Sequence, residues 1–189
     1  MKGFSEFSAK ETAVRLNSEE KSSVEFTKIG CVGTVGQTLN TKTIIKKCEG
    51  VITKKVTKHA GDGELKVTLH MQWVVYKKLY GMNSSKLKEG VIGYGPGTHP
   101  EFTLVMKALN EDDQVKYKAY PRCVINDGPN PNIDNSAEEV SEIEVTIGLS
   151  ADDNGFCLYE ALEEELKDET VKNSWMIDFK PDLVLKETA

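Results

Sequence analysis

Residues 64–71, with the sequence ELKVTLHM, place an apolar side chain at every second position from Leu65 to Met71. This period of two is typical of a β-strand that buries one face and exposes the other. The same pattern recurs at 102–108, at 115–120 and at 143–149. Less regular runs at Thr12–Leu16 and Val24–Val35 are also predicted to be strands.

Turn residues and two helical patterns fill the space between these strands. Residues 110–113, NEDD, predict the tip of a hairpin that joins 101–109 to 114–125. Apolar residues at helical spacing predict helices over Gln72–Tyr80, where Gly81 is a natural end, and over Leu158–Leu166. The predicted fold class is α+β, mainly β. We expect an antiparallel β sandwich or open barrel with one or two flanking helices.

The 189 residues suit a single domain, 1–189, with projecting segments. Residues 36–60 alternate lysine and threonine with few large apolar groups, so this stretch cannot bury enough surface to fold on itself. It is predicted to be a long extended hairpin or loop that orders against a neighbour. We expect terminal arms at about 1–9 and 180–189, the second of which docks elsewhere.

Charge is distributed unevenly along the chain. The net charge is −6, yet residues 37–58 hold six lysines and one glutamate. Those lysines are Lys42, Lys46, Lys47, Lys54, Lys55 and Lys58. Residues 137–189 hold fifteen acidic residues and four lysines. A basic and an acidic segment on one chain favour contact between copies, and two unrelated solvated faces are the equal alternative.

No pattern of reactive residues indicates an enzyme. His59, His70 and His99 stand apart from one another and from the cysteines, and no nucleophile elbow or phosphate-binding glycine motif is present. The four cysteines are widely spaced, so we expect free, partly buried thiols, with a disulfide as the minor alternative. We therefore expect no catalytic residue, no metal and no cofactor.

The chain also lacks the signals of secretion, membrane insertion and conventional nucleic-acid binding. Its first residues hold no apolar signal stretch, and no apolar run reaches the roughly 18–20 residues of a membrane helix. Its charge is negative, and no aromatic residues alternate with the lysines of 37–58. We expect the protein to remain where it is made, with no membrane partner.

Several ordered stretches resemble the major tail-tube proteins of long-tailed phages that infect Gram-positive bacteria. The stretches are KKCEGV at 46–51, GDGELKVTLHM at 61–71, YGM at 80–82, LKEGVIGYG at 87–95, EFTL at 101–104, VKYKAYPRC at 115–123, IDNSAEEV at 133–140, YEAL at 159–162, WM at 175–176 and FKPDLV at 179–184. Their order and spacing carry the resemblance, which covers about residues 40–186.

The resemblance implies a structural subunit. Six copies would form a ring, and rings would stack through a long hairpin loop and terminal arms into a non-contractile tail tube. The tube would enclose the tape-measure protein, meet a tail terminator and a distal tail protein, and later conduct DNA without binding it specifically. The protein would lie in the virion tail, and in the host cytoplasm during assembly. The lysines of 37–58 would then contact the next ring.

A strand from Glu138 to Leu149 would place Glu142, Glu144 and Thr146 on one face, opposite Ile143, Val145 and Ile147. This acidic face is either the solvent side of a sheet or the lining of the tube channel, where carboxylates repel DNA. Three other function classes stay open. They are a single-ring head–tail joining or tail-terminator protein, an immunoglobulin-like binding module of a cell surface, and an enzyme.

Overall fold

The computed structural model describes residues 4–22 and 25–186. Its strands are β1 Ser8–Leu16, β2 Thr27–Lys28, β3 Gly30–Cys48, β4 Val51–Met71, β5 Phe102–Leu109, β6 Val115–Ile125, β7 Ile143–Ser150 and β8 Tyr159–Leu162. Its α-helices are α1 Trp73–Leu79 and α2 Glu169–Asp178, and short 3-10 helices cover Asn17–Ser22 and Pro181–Val184. The mainly β, α+β fold class is therefore confirmed.

All eight strands belong to one antiparallel sheet, in the order β2-β1-β5-β6-β7-β4-β3, with β8 paired to β6. The two ends of this path, β2 and β3, are separated in the chain only by Ile29. The Ile29 amide donates to Thr12, and its carbonyl accepts from Gln72. These bonds bring the two ends of the sheet together, so the sheet curls back on itself. The resulting barrel is open, because no ladder joins β1 to β3.

The main core fills the inside of this curl. Alternate residues of β4, β5 and β7 point into it, and α1 closes it with Val75 and Leu79. Leu65, Leu69, Phe102 and Leu104 are fully buried there. Because each strand alternates, the opposite faces of β4 and β7 remain available for polar residues.

A second core lies outside the curl, where α2 covers β1, β5 and β6. Trp175 and Phe179 pack there against Val105, Tyr117 and Ala119. Asp168 caps α2, because its side chain accepts hydrogen bonds from the amides of Thr170 and Val171. Leu183 and Val184 also pack on this cluster.

Most predicted elements are confirmed, and their bounds differ by a few residues. The alternating strands correspond to β4, β5, β6 and β7, and residues 110–113 form the turn between β5 and β6. Helix α1 occupies the predicted Gln72–Tyr80 segment, and Gly81 follows it with a φ of 59°. Within Val24–Val35, Val24 lies outside the described residues, and β2 and the start of β3 occupy the rest.

The predicted helix over Leu158–Leu166 is wrong. Tyr159–Leu162 is instead strand β8, which pairs with Lys116–Ala119 of β6. Ala161 and Leu166, which share the predicted helical stripe, pack into the second core instead. The pairing and burial offered by β6 thus override the helix propensity of a segment rich in Leu, Ala and Glu.

The strand predicted over 138–149 begins only at Ile143. Residues 138–142 lack alternating apolar side chains, and Val140, the one large apolar residue among them, is 83% exposed. Nothing in this segment can be buried against the core, so it forms part of the loop between β6 and β7.

Candidate assembly surfaces

The ends of β3 and β4 form a two-stranded ribbon over residues 40–61, which we call the free hairpin. Strand β4 pairs with β7 from Leu69 back to Asp62 and no further. Beyond that point β3 and β4 pair only with each other, from Thr41 opposite His59 to Cys48 opposite Val51. An isolated two-stranded hairpin is only marginally stable in water.

Four lysines of the free hairpin lie on one of its faces, in two directly opposed pairs. Lys42 is opposite Lys58, and Lys46 is opposite Lys54, with the Ile44–Val56 pair between them. Like charges directly across an antiparallel pair repel each other and weaken it. This face would therefore gain stability from contact with a negatively charged surface.

The other face combines the two remaining lysines with exposed aliphatic side chains. Lys55 is opposite Ile45, and Lys47 is opposite Ile52. Ile45 is 46% exposed and Ile52 is 53% exposed. The ribbon thus offers both charge and apolar area to a partner.

A cluster of carboxylates lies at the opposite end of the same sheet. Residues 126–142, between β6 and β7, contain five acidic residues and no lysine or arginine. Strand β7 begins at Ile143, which pairs with Leu69, whereas the free hairpin leaves the sheet beyond Asp62. Asp134, Glu138, Glu139 and Glu142 are exposed. We call 126–142 the acidic loop.

The outer face of β3, β4 and β7 is a continuous row of small and polar side chains, which we call the polar sheet face. Its members are Thr34, Gly36, Thr38, Asp62, Glu64, Lys66, Thr68, Glu144, Thr146, Gly148 and Ser150. Glu144 is opposite Thr68, whose hydroxyl lies 3.0 Å from that of Thr34. Lys66 is opposite Thr146. Glu144 is exposed and Thr146 is half-buried.

Glu142 lies just before β7, and its carboxylate covers the backbone of Gly33. A Cβ at Gly33 would lie only 2.3 Å from a carboxylate oxygen of Glu142. Gly33 is the extra residue where the β3–β4 register shifts between Val32 and Thr34. The glycine therefore lets Glu142 approach β3 closely, at the end of the polar sheet face.

No cluster of three or more His, Cys, Asp or Glu in residues 4–22 and 25–186 is placed to hold a metal ion. An open cleft of about 390 Å³ contains Tyr80, Tyr94 and His99. His99 is bonded there to the Ile125 carbonyl at 2.6 Å and to the Tyr94 hydroxyl at 3.1 Å. Burial raises the pKa of Tyr80 to about 12, so this hydroxyl stays protonated at neutral pH.

The four cysteines are unpaired: Cys31 and Cys48 are exposed, Cys157 is half-buried and Cys123 is buried. Two of the four therefore do not fit the expectation of partly buried thiols. Neither α-helix of the described part of the chain has the length and apolar content needed to cross a membrane.

No family model and no curated protein matches this sequence. One similar solved structure is the anti-feeding prophage cap, described as the tube terminating cap. It is 9% identical in sequence, with a TM-score of 0.52, and the match covers 86% of this chain and 95% of the cap chain. The two chains therefore share a fold over most of their lengths.

One ion pair that bears on the assembly proposed below was not predicted from the sequence. Lys118 is 4% exposed and lies beside Glu6, which is 112 positions away in the chain. The signal available was a lysine within a strand rich in apolar residues, but Lys116 and Arg122 lie on the same strand, so the sequence does not distinguish Lys118 as the buried cation. Its partner could not be found from sequence because nothing local links the two residues.

Proposed function

We propose that this chain is the repeating subunit of a phage tail tube. Hexameric rings stack into a tube that encloses the tape-measure protein during assembly and later conducts DNA to the host. A tail terminator and a distal tail protein complete the two ends of the tube. The protein is structural, and its working parts are surfaces rather than a catalytic centre.

The placement of opposite charges at opposite ends of one sheet carries this proposal. The free hairpin carries six lysines, and the acidic loop carries only carboxylates. A copy that stacks head-to-tail on another brings the hairpin of one to the acidic loop of the next. The contact neutralises the opposed lysine pairs and covers exposed isoleucines, so the marginal hairpin is stabilised on assembly.

Electron microscopy of the purified full chain and of charge-reversed variants tests the proposal. We expect tubes from the unchanged chain, and isolated rings from Lys46→Glu with Lys54→Glu and from Glu138→Lys with Glu139→Lys. The chain that combines all four changes should form tubes again, because both surfaces are reversed together. The matched control is Lys86→Glu with Lys88→Glu, two exposed lysines outside the hairpin, which should form tubes.

Failure of the unchanged chain to form any tube or ring across concentrations and salt would contradict the proposal. Tubes formed by both half-reversed variants would show instead that stacking does not use these charges. Raising salt should weaken stacking of the unchanged chain, because exposed charges are screened.

The polar sheet face is the surface that we assign to the channel. It is continuous over three strands and opposite the core, as the lining of a barrel must be. Glu142, Glu144 and the half-buried Thr146 carry no positive charge, and Lys66 is outnumbered on this face by Asp62, Glu64 and Glu144. Replacing Glu142 and Glu144 with lysine should leave folding intact and slow DNA ejection, with partial recovery in salt. A structure of the tube with both side chains on its outer wall would end this assignment.

A single-ring role is the second candidate, and the fold similarity to a tube-terminating cap favours it. A terminator or head–tail joining ring also needs a closed ring, but it must not stack on itself. The electron micrographs of the unchanged chain also distinguish the two candidates. Isolated rings from the unchanged chain at every concentration would support the single ring, and long tubes would support the tube subunit.

A further inference from the structure

An ion cluster around the nearly buried Lys118 holds the N-terminal segment against β6. The Lys118 ammonium group lies 2.9 Å from both carboxylate oxygens of Glu6 and 3.2 Å from Glu160. Lys116 is 3.1 Å from the same Glu6 carboxylate. Glu6 therefore joins two lysines of β6, one of which is almost fully buried.

Lys118 has two carboxylate partners here, Glu160 of β8 and Glu6 of the N-terminal segment. Its side chain is 5% exposed, and a buried ammonium group without a partner is strongly destabilising. Burial alone would raise the pKa of Glu6, but hydrogen bonds from Lys118 and Lys116 outweigh it, so the pKa lies below its usual value. The site is thus built to hold an ionised carboxylate, whichever chain supplies it.

The segment that supplies Glu6 is held to its own chain by few apolar contacts. It runs over residues 4–10, which we call the N-terminal strap, and Phe7 within it is 81% exposed. Three residue pairs join the strap to β5, and one of them places Lys10 opposite Lys107, a like-charge pair in which the Lys107 ammonium group also pairs with Glu11. Apart from the Glu6 ion pairs, the strap makes a cation–π contact between Phe4 and Lys116 at 4.6 Å.

A strained residue joins the strap to the rest of β1. Glu11 has a φ of 52°, a left-handed conformation that is uncommon for a residue other than glycine. The pairing with β5 shifts register at this point, between Lys10 and Ala13. Residues before Glu11 can therefore change direction without disturbing Ala13–Leu16, because the regular ladder is already interrupted there.

We propose that the N-terminal strap is exchanged between neighbouring copies, so that Glu6 of one copy enters the Lys116–Lys118 site of the next. The exchange rests on the proposed multi-copy assembly and names one of its contacts. It keeps every strap contact seen within the single chain, which is why swapping of an identical segment is a low-cost route to association. Five extended residues before Glu11 reach about 17 Å, which limits the distance between Glu11 of one copy and the Lys116–Lys118 site of the next.

Disulfide trapping between two different full-length chains tests the exchange. Ala9 of the strap is directly opposite Ala108 of β5. Chains with Ala9→Cys and chains with Ala108→Cys, both carrying Cys31→Ser and Cys48→Ser and differing in tag length, are mixed, assembled and oxidised. We expect a covalent heterodimer on a non-reducing gel. The background chain without an added cysteine should give none.

A pair of opposed positions in the sheet, away from the strap, provides the matched control. Thr34→Cys and Thr68→Cys chains, whose positions are opposed between β3 and β4, should give no heterodimer. Adding Glu6→Gln to the Ala9→Cys chain should lower the heterodimer yield several-fold, because an amide cannot neutralise two lysines. The change Glu89→Gln, at an exposed loop position, should leave that yield unchanged.

The outcomes separate this inference from the proposed function. Rings or tubes without a heterodimer above the Thr34/Thr68 level would overturn strap exchange and leave the assembly proposal intact. A heterodimer without any ring would support exchange and contradict the ring. Absence of both would overturn both.

Discussion

Strand β4 passes through two environments, and its two halves differ in almost everything except backbone pairing. From Gly63 to Leu69 it lies between β3 and β7, and Leu65 and Leu69 are fully buried. From Val51 to Gly61 it has one neighbour only, and Val51 is 68% exposed. The hydrogen-bonded ladder is similar in both halves, so burial and charge decide what each half can do. The inner half stabilises the fold, and the outer half is the part that we propose stabilises contacts between molecules.

The largest effect on stability is expected in the buried half of β4. Leu65→Ala should lower the free energy of unfolding by about 2–5 kcal/mol, because it leaves a cavity in the main core. Urea unfolding followed by circular dichroism measures the change. Ile52→Ala in the free hairpin is the matched aliphatic truncation and should stay within about 0.5 kcal/mol. Equal losses for the two variants would mean that the hairpin is part of the cooperative unit.

A smaller loss is expected at the start of α2, which covers the second core. Asp168→Ala removes a side chain that accepts from two backbone amides, and it should cost about 1 kcal/mol. The same urea experiment applies. Asp168→Asn retains a capping oxygen and should recover most of the loss, whereas an equal effect of both changes would assign the loss to charge rather than to capping.

A gain is expected when one opposed lysine pair of the free hairpin is broken. Lys46→Glu turns a repulsive pair with Lys54 into an attractive one, which is worth about 0.2–1 kcal/mol locally. Amide hydrogen exchange of the unassembled chain should show slower exchange across 42–58, with no change in β5. Lys88→Glu, at an exposed loop position, controls for net charge. Faster hairpin exchange in Lys46→Glu would show that the opposed lysines do not weaken the ladder.

The smallest effect on stability is expected from removing the free hairpin itself. Thr41 and His59 are directly opposed, so Asn-Gly can replace residues 42–58 as a two-residue turn. The free energy of unfolding should change by less than about 0.5 kcal/mol, because little apolar area is lost. Micrographs of the same preparation should show no tubes. Tubes of normal length would contradict the assigned role of the hairpin.

Sequence alone predicts the strands and helices whose apolar residues repeat with a single period. Strands β5 and β7 alternate cleanly, and α1 combines helical spacing with a terminal glycine. It does not predict α2, although Asp168 is a good cap and Val171 and Trp175 share one face, because the intervening residues have weak helix propensity. The wrong helix over 158–166 has the opposite cause: high propensity overridden by pairing with β6.

The assembly surfaces, too, can be predicted from the sequence only in part. The lysines of 37–58 are visible in the sequence because they are clustered in one segment. The absence of cations from 126–142 is visible for the same reason. That Lys46 is opposite Lys54 depends on a register shift next to Lys46, which no local pattern indicates. That Glu6 reaches Lys118 depends on the path of β1 along β5. Long-range register is the information that a single sequence lacks.

The free hairpin also converts a small rotation at its base into a larger displacement of its tip. Its strands extend about 25 Å from the pair Thr41–His59 to the tip at the usual rise per residue. A second register shift, between Leu39 and Thr41, lies at its base. A rotation of about 5° there moves the tip by roughly 2 Å over that length. In the proposed tube, the backbone angle at this one bulge would therefore set where the tip of each copy meets its neighbour. Small differences there, repeated along the stack, would become the curvature and twist of the whole filament.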